Sequence, residues 1–258
     1  MHEIDRAGSY LICATPRTGS TLLCGLLGDT GIAGKPESYF RLPDERSYAE
    51  SWSVPVGSDG PLDYRQYIRA VIAAGSTTNG VFAARVMWGT MEEVVTKLRA
   101  AYHHPLGTDL EVLSHVLGRT RFVHLQRGDV LAQAVSWARA EQTGYWQCED
   151  RTAPGRPPRF DLNEVDGCIR TINAHNAAWR DWFGSSAIAP LVVTYEDLVA
   201  DMARTAAAVL GFVGLELPVD QVVAPRTRRQ ADELNQEWAS RYRSLRPAEP
   251  WLAQGASS

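Results

Sequence analysis

The chain has 258 residues, a length that suits one large α/β domain or two small ones. Its formal net charge of −4 argues against a general attraction to nucleic acid or to an anionic membrane surface. No apolar stretch approaches the roughly 18 residues that a membrane-spanning helix needs, and the first apolar run, residues 10–14, is too short for a signal peptide. These features predict a cytoplasmic protein that folds as a single domain over residues 1–258.

The cysteines and histidines show no metal-ligand pattern. The four cysteines form no C-x-x-C or C-x-x-H pair, and of the six histidines only His103 and His104 are adjacent. We therefore expect buried, reduced thiols and no metal site.

Short apolar runs alternate with segments of helical spacing along the chain. The runs predict four buried strands, at residues 9–14, 81–87, 121–125 and 191–194. The helical spacing predicts helices at residues 20–29, 63–74, 91–102, 110–117, 129–143, 162–183 and 196–211, and a last helix that passes through Glu237 and Arg243.

Two segments between these elements are predicted to be loops. Residues 34–60 are polar, aromatic and interrupted by proline, and residues 148–160 are rich in proline and arginine. The alternation of strands and helices elsewhere implies an α/β fold of three layers, similar to that of P-loop proteins, with a mainly parallel central sheet and helices on both faces.

The segment after the first predicted strand has the spacing of a phosphate-binding loop. A nucleotide P-loop reads G-x-x-x-x-G-K-[ST], and the corresponding positions here are Ala14, Gly19, Ser20 and Thr21. Because Ser20 replaces the lysine that reaches the β- and γ-phosphates, an ATPase, GTPase or kinase is disfavoured. Free backbone N–H groups at the helix N-terminus, hydroxyl groups and Arg17 fit a compact dianion such as a 5′-phosphosulfate. The alternative is an ordinary strand-to-helix turn that is capped by hydroxyl side chains.

A second candidate anion site follows the third predicted strand. Arg127 leaves that strand at its carboxyl end, and Ser136 lies on the next helix. Ligands of parallel sheets bind at the carboxyl ends of the strands, so the two side chains can converge on a second phosphate. The alternative is an ion pair between Arg127 and Asp129 or another surface carboxylate.

These segments together resemble the bacterial trehalose 2-sulfotransferase family. The resemblance runs in order from about Tyr10 to Arg243, and is least certain in residues 41–60 and 148–162. The segments that carry it are LICATPRTGSTLL (11–23), GIAGKP (31–36), GV (80–81), MW (87–88), HLQR (124–127), QAVS (133–136), VTYEDL (193–198), RQAD (229–232), EW (237–238) and RYR (241–243). It implies an enzyme that transfers a sulfuryl group from 3′-phosphoadenylyl sulfate (PAPS) to a carbohydrate hydroxyl, and it implies a homodimer.

The resemblance also implies which residues bind the donor. Arg127 and Ser136 would bind its 3′-phosphate, and Arg17 together with the loop amides would stabilise charge on the departing phosphate oxygen. A basic, donor-covering segment, residues 226–246, would close over it. The residues implied in donor binding besides Arg127 and Ser136 are Thr15, Arg17, Thr18, Gly19, Ser20 and Thr21 in the loop, and Arg228, Arg229 and Gln230 in the covering segment.

The acceptor side departs from the family pattern. An ungapped alignment places Ser38 where the family has its catalytic glutamate, and Glu37 stands one residue earlier. We expect Glu37 to take the proton from the acceptor hydroxyl, with the loop shifted by one residue; otherwise another group must do so. The simpler role for Glu37 is a solvated loop carboxylate or a partner for Arg41.

Two other functions stay open at this point: a P-loop kinase of a small metabolite, and a nucleotide-binding protein without catalysis. The missing lysine argues against the kinase, and so does the fourth predicted strand, which ends in Thr194 and Tyr195 rather than in a carboxylate for magnesium, although Glu196 and Asp197 follow. The acceptor is not encoded in any of these motifs, so trehalose, a glycolipid and a sugar-bearing metabolite all fit.

Overall fold

The computed structural model describes residues 8–55, 62–103, 107–146, 157–217 and 233–246. Within them, four strands form one sheet in the order β2-β1-β3-β4, and every neighbouring pair is parallel. The strands are β1 (Ser9–Ala14), β2 (Phe82–Met87), β3 (Thr120–Gln126) and β4 (Leu191–Thr194). The predicted strands and the parallel sheet are therefore confirmed.

Helices cover both faces of this sheet. In the described part of the chain they are α1 (Ser20–Asp29), α2 (Leu42–Ser51), α3 (Tyr64–Gly75), α4 (Trp88–Tyr102), α5 (Asp109–Leu117), α6 (Val130–Thr143), α7 (Leu162–Ser185), α8 (Tyr195–Ala200), α9 (Met202–Val213) and α10 (Glu233–Leu245). Since successive strand residues point to opposite faces, Leu11 and Cys13 pack towards α3, α4 and α5, whereas Tyr10 and Ile12 pack towards α1 and α9. A third apolar cluster joins α6, α7 and α10. The predicted three-layer α/β fold is confirmed.

No helix among the described residues is long and apolar enough to cross a membrane.

The predicted loop over residues 34–60 is wrong in its middle, where α2 forms. Pro43 lies in the first turn of α2, where its missing N–H removes no helical hydrogen bond, so the proline begins the helix rather than interrupting it. Tyr48 stacks on Trp52 with the ring centroids 4.9 Å apart, and both rings contact Tyr39. These aromatic contacts form an apolar side on α2, which the spacing of apolar residues in its sequence does not predict.

Two further predicted helices have different bounds. The helix predicted over residues 196–211 is two helices, because Asp201 has an extended backbone and its carboxylate accepts a hydrogen bond from Arg204 N at 2.9 Å, which caps α9. The helix predicted from residue 91 already begins at Trp88, directly after β2. β2 therefore runs directly into α4, which begins at the carboxyl edge of the sheet.

A buried carboxylate fixes α2 against α3 and α4. Glu45 is only 6% exposed, and its Oε2 lies 2.6 Å from Nζ of Lys97. Its other oxygen, Oε1, accepts a hydrogen bond from the Tyr64 hydroxyl at 3.0 Å. Lys97 also pairs with the more exposed Glu93, at 2.8 Å.

We predict that Lys97→Met destabilises the protein by about 3 kcal/mol, because it leaves the buried Glu45 carboxylate without its counter-charge. The control Glu93→Gln removes the exposed partner and is expected to cost about 0.5 kcal/mol. Urea unfolding of both variants measures the difference. Equal, small losses for the two variants would show that the buried pair does not hold α2 in place.

Candidate active site

Two residues with left-handed backbone shape the loop between β1 and α1. They are Arg17, with φ of 65°, and Gly19, with φ of 81°. A Cβ atom at Gly19 would lie 2.7 Å from Cδ2 of Tyr195, so both the backbone and the available space require glycine. The first helical hydrogen bond of α1 is donated by Leu23 N to Gly19 O at 3.1 Å. The N–H groups ahead of Leu23 therefore have no helical partner and can bind an anion.

Buried side chains hold this loop from the inside. The Thr18 hydroxyl donates to Thr15 O at 3.0 Å, and Gln133 Nε2 donates to Thr15 Oγ1 at 2.8 Å and to Pro16 O at 2.6 Å. Trp179 of α7 donates its Nε1–H to Ala14 O at 3.1 Å. Thr15 and Thr18 thus use their hydroxyl groups to shape the loop, and the predicted contact of these two residues with a donor stays a prediction.

Arg17, Arg127 and Ser136, which the sequence places in three separate segments, meet at the carboxyl edge of the sheet. Arg17 Nε donates to Ser136 Oγ at 2.9 Å, and Arg17 Nη1 donates to Trp146 O at 2.6 Å. Arg127 Nη1 donates to Arg17 O at 3.3 Å, and its Cζ lies 4.4 Å from the centroid of the Tyr195 ring. Two guanidinium groups and a hydroxyl thus lie together beside the loop between β1 and α1.

The carboxylates beside Arg127 bind backbone N–H groups. Asp129 accepts from Ala132 N at 2.8 Å and caps α6. Glu196 accepts from Gly128 N at 3.1 Å and from Asp129 N at 3.3 Å. The contacts of Glu196 join the first turn of α8 to the turn after β3. Among the described residues, no three His, Cys, Asp or Glu side chains form a group that could hold a metal ion.

The segment that carries Glu37 and Ser38 runs along the outer edge of β2. Arg85 N donates to Glu37 O at 2.9 Å, and Arg85 Nε donates to Ser38 Oγ at 2.8 Å. Arg41, the alternative partner for Glu37, forms an ion pair with Asp44 at 2.6 Å. The backbone of the predicted base is therefore fixed to the sheet.

The Glu37 carboxylate interacts electrostatically with neighbouring titratable groups and with the Arg85 guanidinium. Its side chain is exposed, yet it is close enough to Tyr39, Tyr48 of α2 and Cys24 of α1 to raise the pKa of each. Burial by the surrounding protein raises the pKa of Glu37, and the Arg85 guanidinium opposes this effect. A carboxylate with a raised pKa is a stronger proton acceptor, which suits a general base.

Sequence reasoning missed Arg85 and Tyr195. Arg85 Nη1 donates to Ser20 Oγ at 3.2 Å and to Thr21 Oγ1 at 2.8 Å, so it contacts the loop and the Glu37 segment at once. The available signal was a single charged residue in the otherwise apolar strand β2. Tyr195 gave no comparable signal, since its role depends on contacts with Gly19 and Arg127 from distant parts of the chain.

The predicted covering residues Arg228, Arg229 and Gln230 lie outside the described residues. The described part of the covering segment is α10, which packs on α6 and α7 through Trp238 and Tyr242.

Comparison with known proteins identifies relatives along almost the whole chain. The Stf0 sulphotransferase family matches residues 9–245. The trehalose 2-sulfotransferase of Mycobacterium tuberculosis is 30% identical over 261 residues, which cover 92% of this chain and 95% of that protein. That of Mycolicibacterium smegmatis is 30% identical over 264 residues, with coverage of 93% and 96%.

A solved sulfotransferase from Alicyclobacillus acidocaldarius is more distant, with 14% identity, a TM-score of 0.44, and coverage of 94% of this chain and 97% of that one. The family match over almost the whole chain and the two close relatives decide the assignment: this chain belongs to the Stf0 sulphotransferase family.

Proposed function

We propose that the protein transfers a sulfuryl group from PAPS to a hydroxyl group of a carbohydrate. The observation that carries this proposal is the meeting of two anion-binding arrangements, the N-terminus of α1 with Arg17 and the Arg127–Ser136 pair. PAPS has one anionic group at each end of its ribose, a 5′-phosphosulfate and a 3′-phosphate, so two adjacent sites match it. Membership of a sulfotransferase family supports the same donor.

In this proposal each end of the donor has its own binding residues. The 5′-phosphosulfate binds the free N–H groups of the first turn of α1, where the helix dipole favours negative charge. The 3′-phosphate binds Arg127 and Ser136. Arg17 lies between the two, since its side chain contacts Ser136 and its backbone forms the loop.

The chain's residues then have three tasks in the transfer step. Glu37 accepts the proton of the acceptor hydroxyl as its oxygen bonds to sulfur. The bond between sulfur and the bridging phosphate oxygen breaks, and adenosine 3′,5′-bisphosphate leaves. Arg17 and the amides of α1 stabilise the negative charge that appears on that oxygen. Nothing is oxidised or reduced in the step.

The acceptor proposed is a carbohydrate because both relatives are trehalose 2-sulfotransferases. Trehalose is therefore the first acceptor to test, followed by glycolipids and sugar-bearing metabolites. A cytoplasmic location and a homodimer remain predictions.

Incubation of the purified protein with PAPS labelled with ³⁵S tests the proposal. Transfer of label to a sugar in the presence of a chelator is the expected result. Phosphoryl transfer from ATP that depends strictly on Mg²⁺ would favour the kinase instead, and donor binding without turnover on any acceptor would favour a non-catalytic binding protein.

We predict that Arg127→Ala weakens binding of adenosine 3′,5′-bisphosphate about tenfold or more, since a charge-assisted contact to the 3′-phosphate is lost. Binding of adenosine 5′-monophosphate, which lacks that phosphate, should change far less. Isothermal titration calorimetry gives both dissociation constants.

The matched control is Arg69→Ala, an exposed arginine on α3, which should leave both constants unchanged. If Arg127→Ala weakens the two nucleotides equally, Arg127 does not bind the 3′-phosphate.

We predict that Glu37→Gln lowers kcat at least 100-fold, because the amide cannot accept the proton, while the dissociation constant of the donor stays within a factor of about two. The control Glu50→Gln replaces an exposed carboxylate of α2 and should retain full turnover. Initial rates at saturating donor and acceptor measure the effect. Near-full turnover of Glu37→Gln would exclude Glu37 as the base.

A further inference from the structure

Arg85 is an unusual residue for its position in the sheet. It lies on β2 beside Ile12 of β1, in a strand whose other residues are apolar, and it is half-buried. Alternation along β2 places it on the face that α1 covers, together with Ala83 and Met87. Its side chain therefore points to the same face as the N-terminus of α1.

The Arg85 guanidinium donates hydrogen bonds to three neutral hydroxyl groups, those of Ser20, Thr21 and Ser38. In the part of the chain that the structure describes, no carboxylate lies within ion-pair distance of Arg85. The Glu37 carboxylate interacts with this charge from beyond ion-pair distance, so the half-buried guanidinium is only partly compensated and favours a further anion next to it.

The Arg85 guanidinium lies close to the position at which a P-loop carries its lysine. A P-loop carries a lysine at the position of Ser20, and that lysine reaches the terminal phosphates. Here Nη1 of Arg85 lies 3.2 Å from Ser20 Oγ, so a cation from the neighbouring strand occupies the vicinity of the missing lysine. Arginine presents a fork of donors that fits phosphate and sulfate oxygens.

We propose that Arg85 contacts the 5′-phosphosulfate of the bound donor and positions the Glu37 segment beside it. This inference rests on the proposed function. During transfer the bond between sulfur and the bridging oxygen breaks, the electron pair stays on the 5′-phosphate, and a new bond joins sulfur to the acceptor oxygen. Arg85 stabilises the charge on the oxygens of the transferring and departing groups. Its backbone N–H and its Nε hold Glu37 and Ser38 at the distance the acceptor requires.

The surroundings of Glu37 make this role measurable. The titratable groups that face it are Cys24 from α1, Tyr48 from α2, Tyr39 from its own segment and Arg85 from β2. Burial raises the pKa of Cys24 to about 12, and the pKa values of both tyrosines are raised as well, so these three groups are neutral at physiological pH. Arg85 is the charged group of this set, and it lowers the pKa of Glu37.

Removal of the Arg85 charge is expected to change the pH dependence of kcat. A general base works when it is ionised, so turnover falls as the pH drops through the pKa of Glu37. Removal of the Arg85 charge removes an effect that lowers this pKa, and the acidic limb of the kcat profile should move to higher pH.

We predict that Arg85→Met lowers kcat about 100-fold or more and moves the acidic limb of the kcat–pH profile to higher pH. Arg85→Lys keeps the positive charge, so its kcat should be at least tenfold higher than that of Arg85→Met, and its acidic limb should lie at the pH found for the unaltered protein. Arg85→Met should also weaken binding of adenosine 3′,5′-bisphosphate about tenfold. The control Arg69→Met on α3 should change none of these quantities. Thermal unfolding of each variant verifies that it is folded at the assay temperature.

A purely structural role for Arg85 would give a loss that lysine does not rescue and an unshifted limb, and that result would overturn the inference. So would full turnover of Arg85→Met. Failure of the proposed function is recognised separately, because the unaltered protein would then transfer no ³⁵S label, whether or not it binds adenosine 3′,5′-bisphosphate. If Arg85→Met proves unfolded, Arg85→Lys decides through turnover: a kcat within about tenfold of that of the unaltered protein supports the inference, and a loss of about 100-fold or more in a folded Arg85→Lys overturns it.

Discussion

The left-handed turn between β1 and α1 is the constraint on which the rest of the site depends. Arg17 and Gly19 turn the chain so that the first N–H groups of α1 face the carboxyl edge of the sheet. This backbone is stable only because other elements hold it: Gln133 binds the loop from α6, and Tyr195 fills the space beside Gly19. The shape of the candidate anion site thus depends on the packed fold as well as on the loop sequence.

Three arginines from three different elements share this edge of the sheet. Arg17 belongs to the loop after β1, Arg85 lies on β2, and Arg127 directly follows β3, and both β2 and β3 pair in parallel with β1. A site with three fixed guanidinium groups can hold two anionic groups of one ligand without a bridging metal ion. Ser20 stands where a P-loop has its lysine, and Arg85 on β2 places a positive charge beside it. The cation near the loop thus comes from the neighbouring strand rather than from the loop itself.

The sequence predicted those parts of the fold and site that depend on local pattern. Apolar runs located all four strands. Because ligands bind at the carboxyl ends of parallel strands, Arg127 and Ser136 were predicted to lie close together, and in the structure both contact Arg17 of the loop. Helix α2 itself was not predicted, because Pro43 begins it and its apolar side depends on contacts with rings outside the helix. Arg85 escaped prediction because its hydroxyl partners lie 47 to 65 residues away in the chain, which no local pattern reveals.

A crystal structure of the protein with adenosine 3′,5′-bisphosphate tests the central claim most directly. We expect the 5′-phosphate to bind the first N–H groups of α1 and to lie within hydrogen-bonding distance of Arg85. The 3′-phosphate should contact Arg127 and Ser136. A nucleotide bound in the opposite orientation, or bound away from the carboxyl edge of the sheet, would contradict it.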